Sequence, residues 1–125
     1  MAENAARIAV ISVNVHDMDQ AVAFYTDALG FAVRSDSGAP YFVELVNDGP
    51  RLLLQLAERP TKADYPSGAC IMINLAVADV AAEFARLRES GAELLHESLQ
   101  DSPVGPYFGV ADPSGNVIEL IQFSE

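Results

Sequence analysis

The chain has 125 residues, half of them hydrophobic, which suits one domain with its own core. Lys and Arg number 7 against 18 Asp and Glu, and the formal net charge of -11 repels phosphate backbones, so nucleic-acid binding is not expected. A single cysteine, Cys70, excludes an internal disulfide and fits a cytoplasmic protein, and no apolar run is long enough to span a bilayer. The stretch from Met1 to Arg7 lacks the basic region and apolar core of a signal peptide. The acidity serves solubility and would favour a cationic ligand.

Arg7 to Val15 alternates and is rich in β-branched residues, which predicts a strand. Asp17 is placed as a helix N-cap with Gln20 three residues on. Met18, Val22, Tyr25 and Leu29 follow at helical spacing, and Gly30 is a stop signal. Strands are predicted at Phe31–Ser35, Tyr41–Val46 and Arg51–Ala57, with turns at Asp36-Ser37-Gly38 and Asn47-Asp48-Gly49-Pro50. Residues 60–68 read as a connector.

The pattern then starts again. Ala69–Val77 is a strand, Asp79 caps a helix bearing Val80, Phe84 and Leu87, and Gly91 ends it. Ala92–Glu97, Pro106–Ala111 and Asn116–Phe123 complete the second set of strands. Asp17 matches Asp79, Tyr41-Phe42 matches Tyr107-Phe108, and Leu54-Gln55-Leu56 matches Ile118-Glu119-Leu120.

Alternation divides the faces of each strand. Ile11, Val13 and Val15, Leu52, Leu54 and Leu56, Ile71, Ile73, Leu75 and Val77, and Ile118 and Leu120 are expected to carry the helices. The opposite face then holds Ser12, Asn14, Gln55, Asn74 and Glu119 among apolar neighbours, a composition that suits a ligand cavity. Glu119 stands out, because a carboxylate inside a β-branched strand must be paired, protonated, metal-bound or wet. Among the aromatics, Tyr41 and Tyr107 are candidate ligand contacts, with the choice between each and its neighbour, Phe42 or Phe108, open. His16 and His96 read as capping or surface residues, and Cys70 as a small buried hydrophobe.

Two stretches carry a family resemblance. Phe24-Tyr25-Thr26-Asp27-Ala28-Leu29-Gly30-Phe31 is similar to the end of the first helix of the vicinal oxygen chelate superfamily. Asp112-Pro113-Ser114-Gly115-Asn116-Val117-Ile118-Glu119-Leu120 resembles that superfamily's final turn and strand. The superfamily includes glyoxalase I, extradiol dioxygenases, fosfomycin-resistance enzymes and bleomycin-resistance proteins.

The resemblance implies an α+β fold of two βαβββ modules, whose mixed sheet curls into a cup with helices on its outer face. The whole chain, 1–125, would be one such domain, with module one at about 7–59, the connector at 60–68 and module two at about 69–124. Enzymes of the family hold a divalent metal with one first-strand and one last-strand position per module, here Val10, Gln55, Met72 and Glu119. Valine does not ligate, a thioether is a poor ligand for hard cations, and glutamine is a weak one, so no metal or other cofactor is expected.

The resemblance is therefore nearest in character to metal-free, bleomycin-resistance-like binding proteins. It implies a homodimer that sequesters a small ligand, such as a cationic antibiotic, against Val10, Ser12, Asn14, Tyr41, Gln55, Met72, Asn74, Tyr107 and Glu119. It leaves open whether one chain or two close the cup. The alternative is a lyase, isomerase or dioxygenase of the same fold, with Glu119 as general base or as ligand to a divalent metal.

Overall fold

In the computed structural model, which describes residues 8–60, 65 and 72–124, the order strand, helix, three strands occurs twice. The chain divides into two compact units, Met1–Pro60 and Thr61–Glu125, each built around a four-stranded mixed sheet. The α+β class and the doubled βαβββ order are as expected. Of the predicted connector, residues 61–64 and 66–68 lie outside the described residues, as do Cys70 and the start of the strand predicted from Ala69. Among the described residues, no helix is long and apolar enough to cross a membrane.

In the first unit, β1 (Val10–Val15) pairs in parallel with β4 (Arg51–Leu56). The antiparallel strands β3 (Phe42–Val46) and β2 (Ala32–Ser35) continue the sheet beyond β4. Helix α1 (Met18–Ala23) starts at Asp17, whose carboxylate accepts the Gln20 N–H at 3.0 Å, and it packs on β4.

The helix predicted up to Gly30 runs to Ala28, but its second half, Phe24–Ala28, is π-helical and not α-helical. Thr26 bonds back through its hydroxyl to the Val22 carbonyl at 2.7 Å, the kind of contact that distorts a helix. Gly30, at φ 78°, then reverses the chain. The core is Val13, Val15, Tyr25, Leu45, Leu52 and Leu54, with the Tyr25 ring edge-on to Phe31. Leu56, expected on this face, ends β4 and is exposed.

In the second unit, β5 (Ile73–Ala76) pairs in parallel with β8 (Val117–Ile121). The antiparallel strands β7 (Tyr107–Ala111) and β6 (Glu93–Leu94) follow. Helix α2 (Val80–Glu89) begins where Asp79 accepts the Ala82 N–H at 3.1 Å, and its Val80, Phe84 and Leu87 are buried. α2 lies over β6 and β7, and Phe84 meets Phe108 edge-on at 5.0 Å.

Strand β6 is shorter than the predicted Ala92–Glu97. Leu95 still donates to the Gly109 carbonyl, but the Gly109 N–H donates to the side chain of His96 instead of to a strand carbonyl. The turn before β8 is held by Asp112, which is almost wholly buried. Its carboxylate accepts the N–H groups of Ser114 and Asn116 at 2.9 and 2.8 Å. Gly115 completes the reversal at φ 89°.

Candidate functional site

Ile118 and Leu120 are buried on the helix side of β8, in register with Val110 and Phe108. Alternation therefore turns Glu119 to the opposite face, in one row with Asn74 of β5 and Gly109 of β7. There the carboxylate has a partner. Tyr65, which belongs to none of the strands or helices, donates its hydroxyl to Glu119 Oε2 at 2.6 Å.

Gly109 makes this approach possible. A Cβ at that position would lie 3.2 Å from the Tyr65 oxygen and 3.3 Å from two ring carbons. The Tyr65 ring meets His96 edge-on at 5.6 Å, and His96 meets Tyr107 at 5.8 Å, so three rings line the ground beside Glu119. Because His96 Nδ1 accepts the Gly109 N–H at 3.0 Å, the proton of the neutral imidazole sits on Nε2. The cluster thus offers one carboxylate, one phenol, one imidazole N–H donor and aromatic edges.

Burial, then donation to Glu119 and the negative charge there, then Tyr107, push the Tyr65 phenol well above its ordinary range. The folded chain keeps a proton that an unfolded tyrosine releases near pH 10. This group's contribution to stability is therefore whole below that pH and is lost as pH rises beyond it. Tyr65→Phe is expected to remove one strongly alkaline component from a tyrosinate absorbance titration. A lost component that titrates near pH 10, as an ordinary tyrosine does, would refute the pairing.

The other sequence-derived positions fall as follows. Met72 precedes β5 and is half-buried, Asn74 is exposed on β5, and Tyr107 shares the Glu119 face. In the first unit, Val10, Ser12 and Asn14 are exposed on β1, and Asn14 stands opposite Gln55. Tyr41 does not share that face: it lies just before β3, largely exposed, and Phe42 is the residue opposite Gln55. The match of Tyr41-Phe42 to Tyr107-Phe108 is thus out of phase, since Tyr107 shares the Glu119 face while Phe108 is buried on the helix face.

The two modules also differ in register. Glu119 stands across from Asn74, five residues before the cap Asp79, whereas Gln55 stands across from Asn14, three before Asp17. Leu53, opposite Ser12, holds the position that corresponds to Glu119. Among the described residues, no three His, Cys, Asp or Glu side chains gather as a metal site would require.

Sequence reasoning missed Tyr65 and His96. Tyr65 falls in the stretch read as a connector, and His96, within the strand predicted at Ala92–Glu97, reads as a capping or surface residue. One signal for both was Gly109, a glycine inside a strand, which often marks close approach by another group.

The family model of the Glyoxalase/Bleomycin resistance protein/Dioxygenase superfamily matches residues 7–120, and the chain belongs to this family. YurT, an uncharacterized protein of Bacillus subtilis (strain 168), is 32% identical over 126 residues, covering 93% of this chain and 98% of YurT. Among solved structures, TnmS3, an antibiotic binding protein from Streptomyces sp. CB03234, is 26% identical with a TM-score of 0.74 over 98% of this chain and 100% of that one. Lactoylglutathione lyase from Agrobacterium tumefaciens shares the fold at 21% identity and a TM-score of 0.71, over 96% of each chain.

Proposed function

We propose that this chain is a metal-free small-molecule-binding protein that holds a cationic or hydrogen-bond-donating group of its ligand at Glu119. The observation that carries the reading is the Tyr65–Glu119 contact at 2.6 Å beside the rings of His96 and Tyr107. A carboxylate already served by a neutral donor, with aromatic edges around it, is suited to receive a ligand donor in place of the phenol. The residues present do not fit a divalent metal, since Val10 and Met72 supply no strong ligand, and neither Gln55 nor Leu53, which corresponds to Glu119 by register, adds a second carboxylate. The likeness to TnmS3, described as an antibiotic binding protein, supports an antibiotic as the ligand class.

Elemental analysis of untagged protein tests the metal-free half of this reading. The expected result is no stoichiometric transition metal. About one Zn, Ni, Fe or Mn per chain would overturn it.

A second reading has one observation in its favour. Tyr65 and Glu119 form a hydrogen-bonded acid–base couple, the arrangement a proton-transfer enzyme needs, with Glu119 as base. Turnover of a bound carbonyl compound that is lost in Glu119→Gln would select this reading over sequestration.

The proposal extends to a cytoplasmic homodimer. Each four-stranded sheet ends in edge strands, β1 and β2 in one and β5 and β6 in the other, and such edges are commonly covered. Light scattering at micromolar concentration is expected to give twice the mass of one chain, and a monomer there would refute the dimer.

A further inference from the structure

We infer that the sheet face of the first unit carries a binding site for an organic carboxylate with an aromatic body, held by Arg34 and Arg51. Both guanidiniums reach the same oxygen of Glu44: Arg34 Nη1 at 2.6 Å and Arg51 Nη1 at 3.2 Å. Two positive charges thus face one negative charge, in a chain whose formal net charge is -11 and which has only 7 basic residues. Each guanidinium has five N–H donors, and among the described residues Glu44 is the only partner of either.

A structural staple explains this arrangement poorly. The Arg34 and Arg51 side chains are 47% and 49% exposed, and ion pairs that exposed add little to stability. Arg34 also sits where the pairing of β2 with β3 shifts register, between Val33 and Ser35, and irregularities of this kind re-aim side chains.

The neighbours define the rest of the ligand. Val10 stands directly across from Arg51, and Phe42 lies two residues along β3 from Glu44 on the same face, roughly 7 Å away at the strand rise. Both are exposed apolar side chains. A carboxylate fits the planar fork of a guanidinium, and an aromatic body of about that length reaches Phe42. The internal carboxylate of Glu44 competes with the ligand for the same donors and so sets the affinity.

Sodium benzoate is the probe, followed through the Arg34 and Arg51 Nε–H resonances of the full-length protein. Benzoate is expected to move both resonances saturably. Arg34→Gln or Arg51→Gln should each weaken binding by about tenfold, the loss of one charged hydrogen-bonding partner. Glu44→Gln should tighten it, because the competing carboxylate is gone. The amide spectrum of each variant reports folding, and should either arginine variant fail to fold, Glu44→Gln still decides. Shifts that sodium chloride or benzyl alcohol reproduce would overturn the site, as would a response to inorganic phosphate without one to benzoate. So would a Glu44→Gln protein that melts lower yet binds benzoate as before, since that is the behaviour of a staple.

Discussion

Phe108→Ala is expected to destabilise the protein by about 3–5 kcal/mol, measured by chemical denaturation. The Phe108 side chain is fully buried in the middle of β7, in register with Leu120. Its ring meets Phe84 of α2 at 5.0 Å and 80°, and the Arg88 guanidinium covers Phe84 at 4.4 Å. Truncation removes the ring that joins the helix to the sheet and leaves a cavity between elements that cannot close independently. A loss below about 1 kcal/mol would mean that α2 is seated by other contacts. Since Phe108 points away from the Glu119 face, variant protein that remains folded should keep its ligand selectivity.

Glu119→Gln is expected to weaken ligand binding by roughly tenfold or more, with little loss of stability. A hydrogen bond to a charged group contributes about 1.5–3 kcal/mol, and each 1.4 kcal/mol is a factor of about ten in affinity. The amide keeps an acceptor oxygen for the Tyr65 hydroxyl, so the contact that positions Tyr65 survives while the charge is lost. Titration calorimetry with a cationic antibiotic found by thermal-shift screening is the measurement. Unchanged affinity would move the site away from Glu119. A large drop in melting temperature would instead make Glu119 a structural residue that anchors Tyr65.

The chain alone determined the local elements and their order. Asp17 and Asp79 cap helices because a carboxylate beside free N–H groups acts over three residues, whatever lies elsewhere. The doubled order was legible for the same reason, since helical and strand periodicities are properties of neighbouring residues. Glu119 could be assigned to the non-helix face because alternation along β8 needs only Ile118 and Leu120 beside it.

What the tertiary structure decided depends on pairing between distant segments. The register of Gln55 with Asn14, and of Glu119 with Asn74, is set by how β1 meets β4 and β5 meets β8, and the two modules differ there although their sequences look parallel. The same strand pairing places Phe42, not Tyr41, opposite Gln55. The partners of the carboxylate were hidden for the same reason: Tyr65 reaches Glu119 across 54 residues of chain, and His96 reaches Gly109 across 13. A side-chain hydrogen bond over such separations leaves no periodic trace, because it depends on the packed positions of elements and not on spacing along the backbone.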